Sequence, residues 1–298
     1  MATPLSAMAA GPSGMPGNRL SALAPQQQVS DVQQVNPIEQ EYFDRLQNDY
    51  NGLAQQYQQL PESDEGRVIN TDVARELSEH YRKDRTKSAD VHEPSSAFVK
   101  QYYAEKLSNP TPKGHEPLVV FTAGGTGAGK TTGMEVIKKV DPRASKAEMV
   151  YDTNMNKFES ADKKIRQALD HKRDVDIIYT YRDPVEALQN GALKRAKRME
   201  ETMGTGRTVP LSEHMKTHMG ARQVIEQLAA KYRNNPNVRI RVIDNSLGAG
   251  KARLSALDKL PKLDENEVRK GLHDALERAK KSGAISDAIY RGTADYAR

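Results

Sequence analysis

The stretch that most constrains the fold is "LVVFTAGGTGAGKTTGMEVIKKV", residues 118–140. Leu118–Thr122 is an apolar run with the length of a buried strand, and the residues from Lys130 onward carry helical spacing. Between them Gly124, four further residues, Gly129, Lys130 and Thr131 satisfy the Walker A pattern. Each residue type has a physical reason to be there. Glycines let the backbone turn sharply enough for several N–H groups to converge on one phosphate. The helix that opens near Lys130 adds its positive end. Lys130 supplies a mobile charge for the β- and γ-phosphates, and the Thr131 hydroxyl suits Mg²⁺. A chance match in 298 residues has odds of about one in a hundred at average glycine usage. The sequence therefore predicts ATP and Mg²⁺ as ligands, held over Gly124, Gly125, Thr126, Gly127, Ala128, Gly129, Lys130, Thr131 and Thr132.

Around this unit, strands are expected at Arg67–Asn70, Met149–Asp152, Val175–Tyr181 and Val238–Asp244. Helices are expected at Ser95–Leu107, Ala161–His171, Pro184–Met203 and Ser212–Tyr232. Strands alternating with helical patterns imply an α/β fold with a mostly parallel sheet covered on both faces. The chain divides into a low-complexity tail (1–36), an amphipathic helix (37–60), the α/β domain (61–250) and a helical C-terminal extension (251–298). The tail has few charges and many Ala, Pro, Gly, Ser and Gln residues, a composition expected to stay disordered. In residues 37–60, Ile38, Tyr42, Leu46, Tyr50, Leu53, Tyr57 and Leu60 recur at steps of three and four, the pattern of one continuous helix. In the extension, the stripe Val268, Leu272, Leu276 and Ala279 reads as a face packed on the domain.

Composition removes several function classes. With no cysteine, disulfides, cysteine-ligated zinc, iron–sulfur clusters and cysteine nucleophiles are excluded together. A net charge of +5, with no block of like charges, fits a surface that tolerates anionic ligands and points away from a dedicated nucleic-acid binder. No apolar run is long enough to span a membrane. The N-terminal residues lack a basic region before an apolar one and do not read as a cleavable Sec signal. The cytoplasm is the expected compartment, either of the producing cell or of a target cell into which the protein is delivered.

A nucleotide site is not yet a reaction. A Walker-type hydrolase needs an acid at the end of a strand after the glycine loop, and Asp152 is the candidate. No guanine-recognition motif of the Asn-Lys-x-Asp kind is present. A kinase needs a carboxylate to take a proton from the acceptor, and arginines to neutralise the moving phosphoryl group. Arg195 and Arg198 on a helix and Arg207 on a glycine-flanked loop are the arginine candidates. A mobile loop that carries an arginine over the phosphates acts as a lid. For Arg195 the alternative is a solvated helix face.

At these residues the chain resembles the zeta toxins, P-loop kinases that phosphorylate UDP-N-acetylglucosamine. "YRDPVEALQNGALKRAKRMEE" resembles the family's strand, proline and arginine-bearing helix, with Arg195 at the matching position. "GRTVPLSEH" resembles the loop that follows, with Arg207, Pro210 and His214. The resemblance implies a P-loop kinase-like three-layer sandwich in which Arg195 and Arg207 contact the ATP phosphates. It also implies a nucleotide-sugar substrate and an inhibitory antitoxin-like partner. In the family, the strand after the P-loop helix ends in an aspartate that serves as general base. Here only "DPRASKAE" separates that helix from "MVYDTNMN". "RVINTDVAREL", residues 67–77, resembles the missing strand instead, as though the module had moved ahead of the glycine loop. The resemblance then covers Arg67 to Asn245 and implies Asp72 as base, on a strand beside Leu118–Thr122, with "SNPTPKGHEP" as the new join. Asp152 and Asn154 become substrate-binding candidates. His92, Glu93, Ser95 and Ser96 open a helix that lines the sugar pocket or merely caps itself. Asp72 has a rival explanation too: it or Thr71 stands where a helix N-cap belongs. Two other functions stay open, a P-loop kinase for a different acceptor and a non-catalytic ATP-binding structural or effector protein.

Overall fold

The alternation of apolar strands and amphipathic helices is carried through in the computed structural model, which describes residues 36–248 and 250–294. Helices α1 (Pro37–Asn48) and α2 (Tyr50–Gln59) lead into strand β1 (Val68–Asn70). Three helices follow, α3 (Thr71–Ala74), α4 (Glu79–Lys83) and α5 (His92–Ser108). Next come β2 (Glu116–Ala123), α6 (Lys130–Val140), α7 (Pro142–Ser145), β3 (Ala147–Asp152), α8 (Phe158–Asp170) and β4 (Asp174–Tyr181). Helix α9 (Pro184–Ala187) runs through a π-helical segment, Leu188–Leu193, into α10 (Lys194–Met203). Then follow α11 (Leu211–Lys231), β5 (Val238–Asp244), β6 (Arg253–Ser255), α12 (Glu265–Lys281) and α13 (Asp287–Thr293). The tail expected to be disordered lies outside the described residues, except for Asn36, whose side chain caps α1.

The six strands form one sheet in the order β1-β3-β2-β4-β5-β6, parallel except for β6. Alternate residues of β2 feed opposite layers, as the two-residue period of a strand requires. Val119, Phe121 and Ala123 face a core shared with α1, α2, α5, α8 and α11. Leu118 and Val120 face Met134 and Ile137 of α6 and Ala144 of α7. The expected α/β, P-loop kinase-like sandwich with helical extensions is the architecture found. The chain leaves β2 toward β3 and later returns to β4 on β2's other side. The carboxyl end of β2 is thus the point where the order reverses, the usual ligand position in open α/β sheets.

Four local expectations need correction. The Arg67–Asn70 strand was expected directly beside Leu118–Thr122, but β3 lies between them, with Val68, Ile69 and Asn70 in register with Val150, Tyr151 and Asp152. Met149, Val150 and Tyr151 are all buried, so β3 has no face or edge to leave in water, whereas a three-residue strand suits an edge. That edge is closed by one side chain. The Tyr57 hydroxyl donates to Val68 O at 2.8 Å and accepts the Asn70 N–H at 2.9 Å, standing in for a neighbouring strand. The single helix over residues 37–60 is two helices, because Asp49 leaves helical geometry (φ −142°, ψ 49°) and caps the second through the Gly52 N–H. Pro184–Met203 is interrupted by the π-helical turn. The helical extension begins with a strand, β6, paired antiparallel with β5.

The apolar stripe of α12 does pack inward. Val268, Leu272 and Leu276 join Leu188, Leu193 and Leu211 in a separate cluster beneath the π-helical turn. With only 5% aromatic residues, the chain concentrates its rings on one side of the sheet. Phe98 stacks on Tyr102 and Tyr57 lies tilted against both, with centroids 5.2–5.6 Å apart, and Tyr103 meets Tyr151 edge-on at 5.1 Å. Helices α1 and α2 are therefore part of the main core rather than attachments to it.

Candidate functional site

The carboxyl ends of β1, β2 and β3 lie on one edge, and each delivers a polar residue there. Asp152, the last residue of β3, joins all three. Its Oδ1 accepts from the Thr122 hydroxyl of β2 at 2.5 Å, and its Oδ2 from Asn70 Nδ2 of β1 at 2.7 Å. Lys130 Nζ stands 3.9 Å from Asp152 Oδ1 and donates to Asn154 Oδ1 at 3.0 Å. The P-loop lysine and both substrate-binding candidates therefore occupy one cluster.

Asp72 follows β1 directly. The rival explanation, that Asp72 or Thr71 is the helix cap, does not hold. Asn70 is the cap of α3, its Oδ1 accepting the Asp72 N–H at 2.7 Å. The Asp72 carboxylate is thereby left for other partners, and these are arginines. Arg207 Nη1 is 2.5 Å from its Oδ2, and Arg75 Nη1 is 3.1 Å from its Oδ1. Arg195, on α10, lies within electrostatic range of Asp72, Asp152 and Arg207, its Nε buried without a partner among the described residues. Arg198 of the same helix is exposed. The four residues expected to be catalytic, Asp72, Lys130, Arg195 and Arg207, come from α3, the start of α6, α10 and the loop after it.

The electrostatics follow from this crowding. Burial pushes the Asp72 carboxyl up, but Arg207, then Arg75 and Arg195, outweigh it and hold the group well below the usual carboxylate range. Arg195 is pushed down by burial and by Arg207. Burial also works against Arg207, yet its ion pair with Asp72 raises it on balance. Three guanidinium groups and one ammonium thus face two carboxylates, a surplus of positive charge suited to phosphate groups.

Sequence reasoning missed Arg75. It is 6% exposed, lies one helical turn beyond Asp72, and directs Nη2 at His92 Nδ1, 2.9 Å away. The signal was available, because residues three apart on a helix share a face. His92 opens α5, which has no side-chain N-cap, so a capping role does not account for it. Burial first, and Arg75 next, push its imidazole down. His214 makes no hydrogen bond to this cluster. It is fully buried, and its Nε2 donates to Pro184 O at 2.8 Å, anchoring the start of α9.

The glycine loop is enclosed from outside by the π-helical turn. A Cβ on Gly191 would lie 2.6 Å from Gly127 O, and one on Gly127 would lie 2.4 Å from Ala187 O. The end of α9 and the wider turn thus lie backbone against backbone with the loop, a common use of π-bulges at functional sites.

Residues 141–254 match the family model described as Zeta toxin. The matched span holds Arg195 and Arg207 and begins just after α6, covering less than half of the chain. Comparison with curated proteins gave no match. Together with the Walker A loop and the mostly parallel sheet, the family match supports a P-loop kinase-like, ATP-dependent phosphotransferase activity. Among the described residues, no helix is long and apolar enough to cross a membrane. None of their His, Asp and Glu side chains form a group of three placed to hold a metal ion.

Proposed function

We propose that this chain is a zeta-toxin-like kinase that transfers the γ-phosphoryl group of ATP to a hydroxyl of UDP-N-acetylglucosamine or a related nucleotide sugar. The observation that carries the reading is the contact between Asp72 and Arg207 at the edge that also presents Lys130. Base and lid arginine, named separately from sequence, are in direct contact. In the reaction the acceptor oxygen forms a bond to the γ-phosphorus, and the bond from that phosphorus to the bridging oxygen of ADP breaks. The acceptor's proton passes to Asp72, and ADP leaves.

In this reading Lys130 reaches the β- and γ-phosphates, while Arg195 and Arg207 neutralise the charge on the transferring group. Arg207 must leave Asp72 to do so. Its departure lets the carboxylate recover affinity for a proton just as the acceptor needs a base. Asp152 and Asn154 orient Lys130 and the near side of the acceptor. Mg²⁺ fits the residues present. The exposed Thr131 hydroxyl and the partly exposed Asp152 carboxylate are hard oxygen donors, and the ion takes most of its ligands from phosphate and water. When bound it would supply positive charge that offsets the phosphates.

In this reading β1 is the family's acceptor strand, relocated ahead of the glycine loop, with β3 rather than β2 as its neighbour. Two observations support this. Strand β1 is parallel to β3 and brings Asp72 to the ligand edge. The family match begins at residue 141, beyond the glycine loop, as expected if the order of the segments before it is altered. An inhibitory antitoxin-like partner is proposed on the same resemblance.

The test is incubation with ATP, Mg²⁺ and a panel of nucleotide sugars, nucleosides and polyols, followed by mass spectrometry. A gain of one phosphate on a nucleotide sugar supports the reading. A gain only on an acceptor without a nucleotide moves the protein to another acceptor class. ATP binding with no modified acceptor contradicts a kinase.

A further inference from the structure

Two buried side chains outside the glycine loop each hold one of its carbonyl groups. His218 of α11, 4% exposed, places Nε2 2.9 Å from Thr126 O. Asn245, 8% exposed and just past the end of β5, donates from Nδ2 to Ala128 O at 2.8 Å. Burial, then His214, pushes the His218 imidazole down to about 3, so the ring is neutral and the nitrogen facing a carbonyl carries its proton. Thr217 adds a third bond, its Oγ1 accepting the Thr126 N–H at 3.1 Å and donating to His214 O at 2.9 Å.

A trans peptide points its C=O and the next N–H in opposite directions. Fixing Thr126 O on His218 therefore turns the Gly127 N–H away from α11. Fixing Ala128 O on Asn245 turns the Gly129 N–H away from β5. Neither N–H has an acceptor among the described residues. These are two of the groups with which a Walker A loop cradles a phosphate. The fit is close enough to dictate sequence. A Cβ on Gly125 would lie 2.2 Å from the His218 ring, and one on Gly129 would lie 2.3 Å from Asn245 Nδ2. These two glycines make room for the side chains that hold the loop.

We propose that His218 and Asn245 are positioning residues for the phosphate site: each ties down one loop carbonyl so that the following N–H is presented to the β-phosphate before nucleotide arrives. Helix α11 begins four residues after Arg207, so the element that carries the lid also sets the loop. The inference rests on the glycine loop binding a nucleotide, and it holds whatever the acceptor.

The test compares ADP, which has a β-phosphate, with AMP, which lacks one, by isothermal titration of the full chain. His218→Phe keeps a ring without a donor, and Asn245→Asp keeps the shape without the N–H. Each is expected to weaken ADP by about 10-fold while leaving AMP unchanged, the effect of one misdirected hydrogen bond to a charged group. His218→Gln, which restores a donor, is expected to stay within about 3-fold of wild type. A purely structural role would lower both affinities together, or lower the melting temperature alone, and either result overturns the proposal. So does unchanged ADP affinity in either folded variant. Should His218→Phe fail to fold, the near-isosteric Asn245→Asp decides alone. Wild-type protein that binds no ADP would instead contradict nucleotide binding itself.

Discussion

Asp72 Oδ2 and Arg207 Nη1 meet at 2.5 Å across 135 residues of sequence, joining the short helix after an edge strand to the loop between α10 and α11. The pair neutralises two groups that the proposed chemistry needs separately. Under the proposed function it is a resting arrangement in which lid and base satisfy each other until phosphate competes for the arginine.

The pair has a signature in stability against pH. The folded carboxyl of Asp72 is held below its unfolded value, so its stabilisation is present above about pH 4 and is lost as pH falls toward the depressed folded value. Arg207→Gln removes the largest of the opposing charges. Its melting temperature is expected to fall below wild type at pH 7, with the gap closing from about pH 4 downward. The Asp72 side chain is 42% exposed, so solvent screening limits the difference at neutral pH to about 1 kcal/mol. A gap that widens on acidification would contradict the pairing.

Lys130→Ala removes the ammonium group from Asn154 and from the phosphates together. ATP affinity is expected to drop by about 10- to 100-fold, the range for a hydrogen bond to a charged group, and phosphoryl transfer to drop at least as far. Equilibrium titration with a non-hydrolysable ATP analogue measures the first effect. Unaltered affinity would remove Lys130 from the phosphate site.

Gly191 tests whether the π-helical turn must touch the loop. A Cβ at this position would stand only 2.6 Å from Gly127 O, so Gly191→Ala forces backbone apart from backbone. A loss of about 1–3 kcal/mol is expected, with weaker ADP binding, because the displaced element is the loop itself. Denaturant melts and ADP titration on the same sample check both effects. A neutral substitution would mean that the turn yields freely.

Much of this was legible in the sequence because it is periodic or local. Strands β2, β3 and β4 announce themselves as apolar runs and β5 as an alternation of apolar and charged residues, and the Walker A spacing specifies both a strand–loop–helix unit and its ligand. Strand order was not legible. Nothing in "RVINTD" says whether its neighbour is β2 or β3, since pairing partners are chosen by three-dimensional burial. The breaks at Asp49 and in Leu188–Leu193 were hidden for a related reason. Both stretches keep helical periodicity, and the interruptions come from a side-chain cap and from a contact with a distant loop. The cluster around Asp72 was half visible. Arg195 and Arg207 were readable as arginine candidates, and the resemblance added their role; Arg75 stands at a readable helical spacing from Asp72, whereas Asn70, His218 and Asn245 act through contacts that no spacing rule encodes.

The central claim is that Asp72 accepts the acceptor's proton. It is tested most directly by single-turnover phosphoryl transfer from ATP to the nucleotide sugar, comparing wild type with Asp72→Asn at matched nucleotide saturation. A transfer rate lowered by about 10²- to 10⁴-fold, with ADP affinity within about 3-fold of wild type, is the predicted result. Transfer at the wild-type rate in the Asp72→Asn protein would contradict it.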